Sequence, residues 1–201
     1  MSAALARRQA GIVLLIAIVA VMGLAFAGMA LVRAVATSVA IGDNVNARRQ
    51  ATYAATIALE HDVVALFESG ALDPASNDVP HNYYASRQAG EDRRGVPRML
   101  RSRSEYPPEA SVIDAGDGWV VRHVIERLCT LPGAATAERC TLSPPSKEAA
   151  SGAPPPGEPP RQPAYRVTLR VEGPGGATTY VQAMLSSVRP NPRLSWQVLD
   201  E

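Results

Sequence analysis

Between Gly11 and Val32 the chain has no charged residue and no strongly hydrogen-bonding side chain, and between Ala34 and Glu68 it has no proline. Of its 20 Lys and Arg residues only Lys147 is a lysine, and cysteine occurs twice, at Cys129 and Cys140. The uncharged run is unsuited to a solvated surface, and the proline-free stretch after it lets a helix continue. The two cysteines form no CxxC pair, and the three histidines, His61, His81 and His123, lack a metal-ligand spacing in sequence. No nucleophile elbow and no phosphate loop occurs; GPGG at 173–176 reads as a turn. Asp114 and Asp117 in DAGDG lack the EF-hand order of ligands and also read as a turn. These shortages argue against an enzyme and imply no cofactor and no bound metal. The formal net charge of +1 names no partner, and the scarcity of lysine is read as codon bias rather than mechanism.

What is present begins with GIVLLIAIVAVMGLAFAGMALV at 11–32, directly behind the basic leader MSAALARRQA. At about 1.5 Å per residue the run makes a helix of about 33 Å against a hydrocarbon core of about 30 Å, enough to span a bilayer once. Arg7 and Arg8 precede it without nearby acids, so the leader is cytoplasmic and everything from Arg33 onward is exported. Beyond Arg33 helical character continues: Tyr53, Ile57, Glu60, Val64 and Phe67 recur three or four positions apart and predict an apolar stripe, Glu60 excepted. Ser69 and Gly70 supply a stop, and Gly42, Asp43 and Asn44 mark a place for a bend. The organisation read from this is a leader at 1–11, a membrane helix at 12–33, its amphipathic continuation at 34–70, and a small β-rich domain at 71–201. One helix would run from about Ile12 to Glu68.

In the exported part Cys129 and Cys140 are predicted to pair in an oxidising periplasm, closing a loop of about a dozen residues worth roughly 3 kcal/mol. The competing readings, a metal site or a redox pair, would call for a CxxC or a nearby histidine, of which His123 is the closest. Gly118–Cys129 alternates as a strand with Trp119, Val121, His123 and Ile125 on one face. Tyr165, Val167, Leu169 and Val171 mark a second strand, which GPGG returns as a hairpin into 177–187. The fold class is therefore α+β, a long N-terminal helix packed on a small antiparallel sheet. Asp73–Pro108 reads as an irregular, polar, Arg-rich segment, and Ser143–Pro163 as a proline-rich, solvated insert acting as a spacer. Near the C-terminus Trp196 is expected to pack on the sheet rather than meet a partner subunit. Arg87, Arg93, Arg94, Arg98, Arg101 and Arg103 form a basic stretch, but Glu91, Asp92 and Glu105 dilute it and no stacking array accompanies it, so it reads as a solvated loop and not as a nucleic-acid site.

The basic leader ending in Gly11, the apolar helix beginning at Ile12 and its amphipathic continuation resemble a type IV prepilin. The stretch from Arg7 to Glu60 is similar to the N-terminal module of PilX-type minor pilins, and YRVTLRVEGPGGATTYVQAML at 165–185 to the PilX/PilW-type closing hairpin. The resemblance covers roughly a third of the chain and implies the pilin fold, with cleavage by a prepilin peptidase between Gly11 and Ile12 and methylation of the new amine. Most prepilins carry Glu as the fifth mature residue, where this chain has Ile16. Lacking a carboxylate to neutralise a neighbour's buried ammonium, the subunit suits a tip or initiation complex better than a repeating shaft. The implied partners are other minor pilins, the major pilin, the prepilin peptidase, the inner-membrane assembly platform and a large tip adhesin; the implied location is the inner membrane and then the pilus tip. The largest minor pseudopilin of type II secretion commonly lacks this Glu as well, but it carries an extra helical insertion for which 201 residues leave little room. Two further alternatives are a secreted binding protein or enzyme cut after Ala25-Phe26-Ala27, and a permanently anchored periplasmic protein with no filament role.

Overall fold

The computed structural model describes residues 3–70, 72–143, 163–186 and 193–199. The chain divides into two compact units, Met1–Arg48 and Arg49–Glu201. Helix α1 runs over Ala3–Phe67. It begins well before Ile12 because the leader is rich in Ala, Leu and Arg, which favour helix, and contains no breaker. It also persists through Gly42, Asp43 and Asn44, where a bend was expected. Its end follows from chain chemistry: Glu68 and Ser69 both donate their amides to the Val64 carbonyl, and Gly70 adopts φ 63°.

Six strands form one sheet. They are β1 (Tyr83–Tyr84), β2 (Val112–Gly116), β3 (Trp119–Arg127), β4 (Tyr165–Glu172), β5 (Thr178–Leu185) and β6 (Arg193–Leu199), with a short helix α2 at Arg98–Arg101. The order is β1-β3-β4-β5-β6, with β2 sharing the β1 edge of β3. All pairings are antiparallel except β1 with β3, so the sheet is mixed rather than wholly antiparallel. The β4–β5 hairpin turns through Pro174–Gly176 as the sequence implied. Of DAGDG, Asp114–Gly116 end strand β2 and Asp117–Gly118 form the turn: these two take φ 52° and 79°, the left-handed pair that a tight two-residue hairpin between β2 and β3 requires. The C-terminal tail forms the edge strand β6, which the sequence reading had not assigned, and Trp196 packs partly buried against the core.

One sheet face is apolar. Val121, Ile125, Val167, Leu169, Val171, Val181, Ala183 and Leu185 are buried there with Ala51, Ala54, Ala55, Ala58, Leu59 and Val63 of α1. This corrects the predicted stripe: Tyr53 is 68 % exposed, Val64 is exposed, and only Phe67 of that set joins the core margin, its ring edge-on to Tyr165 at 5.5 Å. The helix instead turns its alanines inward, because small side chains let a helix backbone come close to a flat sheet.

The opposite face is covered by the segment predicted to be a solvated loop. Val96, Leu100, Tyr106 and Ala110 form a second cluster with Val124 of β3, flanked by Tyr84, Met99, Tyr180 and Leu199. The segment is irregular as expected, but it is a packed wall. Cys129 and Cys140 are joined in a disulfide. It closes a short ribbon in which Thr130 donates to the Arg139 carbonyl and Thr141 to that of Leu128. Of the proline-rich insert, 144–162 lie outside the described residues; its anchors Leu142 and Pro163 are bridged to each other.

Candidate functional site

Within the first unit, the large apolar side chains from Ile12 to Ile41 are 48–74 % exposed. Ile12–Phe67 contains a stretch long and apolar enough to cross a membrane, and none of that stretch is buried in the structure. Ile12 and Ile16 are both uncovered. Gly11 falls within α1, and its surroundings lie outside the described residues.

Within the second unit the structure gathers polar groups that are separate in sequence. Asp62 sits among the alanines on the inward stripe of α1, and His123 lies on the apolar face of β3; both side chains are 1 % exposed. His123 Nδ1 is 3.1 Å from Asp62 Oδ1, a close polar contact off the line of a well-formed hydrogen bond. The other ring nitrogen, Nε2, is 3.0 Å from the His81 carbonyl, which only accepts, so Nε2 carries a proton. His61 Nδ1 approaches Asp62 Oδ1 at 3.5 Å and its ring stacks on that of His123 at 6.4 Å. The hydrogen bond with Asp62 holds the His61 pKa above its ordinary value, against a smaller opposing effect of burial. The His123 carbonyl falls on the edge of β3 between the ends of β1 and β2, where Asn82 Nδ2 donates to it; the Tyr106 hydroxyl stands 3.4 Å from the same carbonyl and donates to that of Ser111 at 2.7 Å. Burial pushes the Tyr106 hydroxyl up to about 12.

The outer face holds an ionic layer. Arg166 donates to Glu126 through Nε at 3.0 Å and Nη2 at 2.6 Å and also reaches Glu91. Glu126 is fully buried and its Oε1 accepts the Gln88 amide at 2.7 Å. Glu172 collects Arg103 and Arg122 at 2.7 Å and Arg170 at 2.8 Å. Burial alone would raise the Glu172 pKa, but Arg103, Arg122 and Arg170 outweigh it and hold the carboxyl below its usual value. The hydrogen bond from Arg166 likewise lowers Glu91.

The predicted basic stretch is thereby redistributed. Arg94 pairs with Asp92 and lies 5.3 Å over the Tyr180 ring, Arg98 pairs with Glu105, Arg103 with Glu172, and Arg101 donates to the Gly90 carbonyl. Arg87 stands 4.0 Å from Glu91. These charges tie the wall to itself and to the sheet.

Chemically, the histidine–aspartate cluster is a closed structural junction. It lies between helix and sheet, and among the described residues no group of three or more His, Cys, Asp or Glu could hold a metal ion. Both cysteines are consumed by the disulfide. A signal for the cluster did exist in the sequence: Asp62 follows Ala51, Ala55 and Ala58 at helical spacing, and His123 alternates in phase with Val121 and Ile125. Two polar residues in buried phases predict one another as partners. No protein-family model, no curated protein and no solved structure matches the chain.

Proposed function

We propose that the protein is a minor pilin of the PilX type, a structural subunit of the tip or initiation complex that primes type IV pilus assembly. The observation that carries this reading is the division of labour along α1. Its uncharged first part is uncovered and long enough to span a membrane, while its last turns are buried against a sheet domain. A helix apolar on all sides needs lipid or other helices around it. On this reading the subunit waits in the inner membrane after the peptidase cuts between Gly11 and Ile12, then packs its helix among those of other minor pilins and the major pilin. The assembly platform drives that transfer, and the sheet domain makes the lateral contacts, including those to a large tip adhesin. Ile16 fits a position where no neighbour's ammonium has to be neutralised.

The test is the mature N-terminus, read by mass spectrometry of the protein from its own host with the peptidase intact. The expected start is N-methylated Ile12. A start at Gly28, or an intact leader, would remove the filament reading in favour of a secreted or a permanently anchored protein.

A further inference from the structure

We propose that the Cys129–Cys140 disulfide is a redox latch for a buried cation: its formation closes the 130–139 loop onto the guanidinium of Arg127, and through that side chain it also fixes the separate loop at 73–76. Arg127 ends β3 and is 3 % exposed. A charge so deeply buried has to be paired or bound by dipoles. Its hydrogen bonds among the described residues go to carbonyls of two different loops: Nη1 donates to Pro74 at 2.9 Å and to Gly133 at 2.6 Å, while Nε finds no partner. Asp73 acts on it only through space; the oxygens of that carboxylate bind Ser76 and the Ala75 amide. The two loops also meet directly, the Gly133 amide donating to the Ala75 carbonyl at 3.2 Å, and the Tyr83 hydroxyl gives the Pro74 carbonyl a second donor at 2.9 Å.

What brings Gly133 to this place is covalent. Residues 130–132 and 134–139 are exposed, and none of 130–139 belongs to either hydrophobic cluster. The loop holds itself by a few backbone bonds, from the Thr130 amide to the Arg139 carbonyl and from the Arg139 and Cys140 amides to the Thr136 carbonyl, which water can replace. The Cys129–Cys140 bond excludes most of the conformations that carry Gly133 away from Arg127. When it forms, the two thiols give up two protons and two electrons to a disulfide oxidant, whose own S–S bond becomes two thiols. Both half-cystines are then buried, so the latch closes as the domain folds and stays out of reach of thiols in solution. Without it the Gly133 carbonyl leaves, Arg127 keeps Pro74 as its acceptor, and the water that enters to solvate the cation loosens the 73–85 segment.

The experiment follows deuterium uptake by the full chain in detergent. It compares the ribbon at 129–142 with the stretch 73–85, whose Asp78, Tyr83 and Ala85 amides are hydrogen-bonded. The variants are Cys129→Ser/Cys140→Ser, Arg127→Met, and the three changes together. We expect uptake at 73–85 to quicken about tenfold on loss of the disulfide, although that stretch contains neither cysteine, and about as much in oxidised Arg127→Met. Removing the disulfide from Arg127→Met should add less than about threefold, and β4 and β5 should stay protected throughout. Unchanged uptake at 73–85 in the cysteine variant would overturn the proposal by confining the disulfide to its own ribbon. Additive effects in the triple variant would overturn it too, since the disulfide would then act other than through Arg127. So would loss of cooperative melting in the cysteine variant, because the release is local. Oxidised Arg127→Met keeps its disulfide and tests the cage independently: protection retained there at 73–85 would also refute the latch.

Discussion

The sheet face beneath α1 is apolar but for His123, whereas the opposite face carries Arg122, Glu126, Arg166, Arg170 and Glu172, and it too is covered. The cover explains the contrast. A helix satisfies its own backbone and presents only side chains, so the strand residues facing it can be Val, Leu and Ala. An irregular wall presents unpaired amides and carbonyls, and the sheet has to answer them. Arg170 and Tyr180 donate to the Leu100 carbonyl, Gln182 to that of Gly95, and Glu126 accepts the Gln88 amide. Polar residues at alternate strand positions, which would ordinarily mean solvent, here mean a loop lying on top.

If that account holds, the two faces should fail differently. Glu126→Ala leaves Arg166 buried with only Glu91 to pair and orphans the Gln88 amide, and it should cost about 3 kcal/mol, roughly 6–12 °C in melting temperature. Replacing both partners, as Glu126→Met/Arg166→Met, should recover part of that loss, because two apolar groups of similar size remove the desolvation cost of the charges along with their attraction, while the Gln88 amide stays unpaired. Thermal melts of both variants in detergent check this. A double variant as unstable as the single one would mean that the charged groups contribute through contacts that apolar side chains cannot replace, beyond compensating each other's burial.

The inner face should instead respond to shape. Trp119 lies flat on the backbone at Gly173, where an added Cβ would come within 2.5 Å of its ring carbons. Gly173→Ala should therefore displace the indole, break its bond to Gln50 and cost about 2 kcal/mol, less than the outer-face change. A melt together with a red-shifted tryptophan emission would register it; an unchanged spectrum would show that the ring has room to move.

This contrast also accounts for what could be read from the sequence. Strands β3, β4 and β5 and the turn between β4 and β5 follow from period-two alternation, and the α+β class from their combination with the long helix. The inward stripe of α1 was misread because hydrophobic patterns weight Tyr53, Ile57 and Val64 above alanine, while close approach to a sheet rewards the smaller residue. The wall at 73–108 was invisible as structure because charges and backbone hydrogen bonds order it, and these have no period. Strand β6 was hidden behind Pro190 and Pro192, which read as tail. His123 is legible as one residue of an alternating strand face, whereas Asp62 lies off the stripe expected from the larger apolar residues and becomes its neighbour only when helix and sheet are brought together.

The smallest expected effects are those of pH, and they separate the faces by sign. On the inner side His61 has its pKa raised above 6.5 by Asp62, so its contribution is complete below about pH 6.5 and is lost as pH rises through the folded value. On the outer side Glu91 and Glu172 are held below their usual 4.5 by their arginines, so their contributions are complete above about pH 4.5 and are lost as pH falls through the folded values. Because His61 is half exposed, solvent screens its share, and the alkaline decline should be slight beside the acid one. Melting temperature measured across the range should therefore form a plateau with a steep acid edge and a shallow alkaline shoulder. His61→Gln should flatten the shoulder and leave the acid edge in place, while Glu172→Gln should soften the acid edge to the share that Glu91 retains and leave the shoulder in place. A shoulder that survives His61→Gln would assign it to another group and separate His61 from the buried pair it touches.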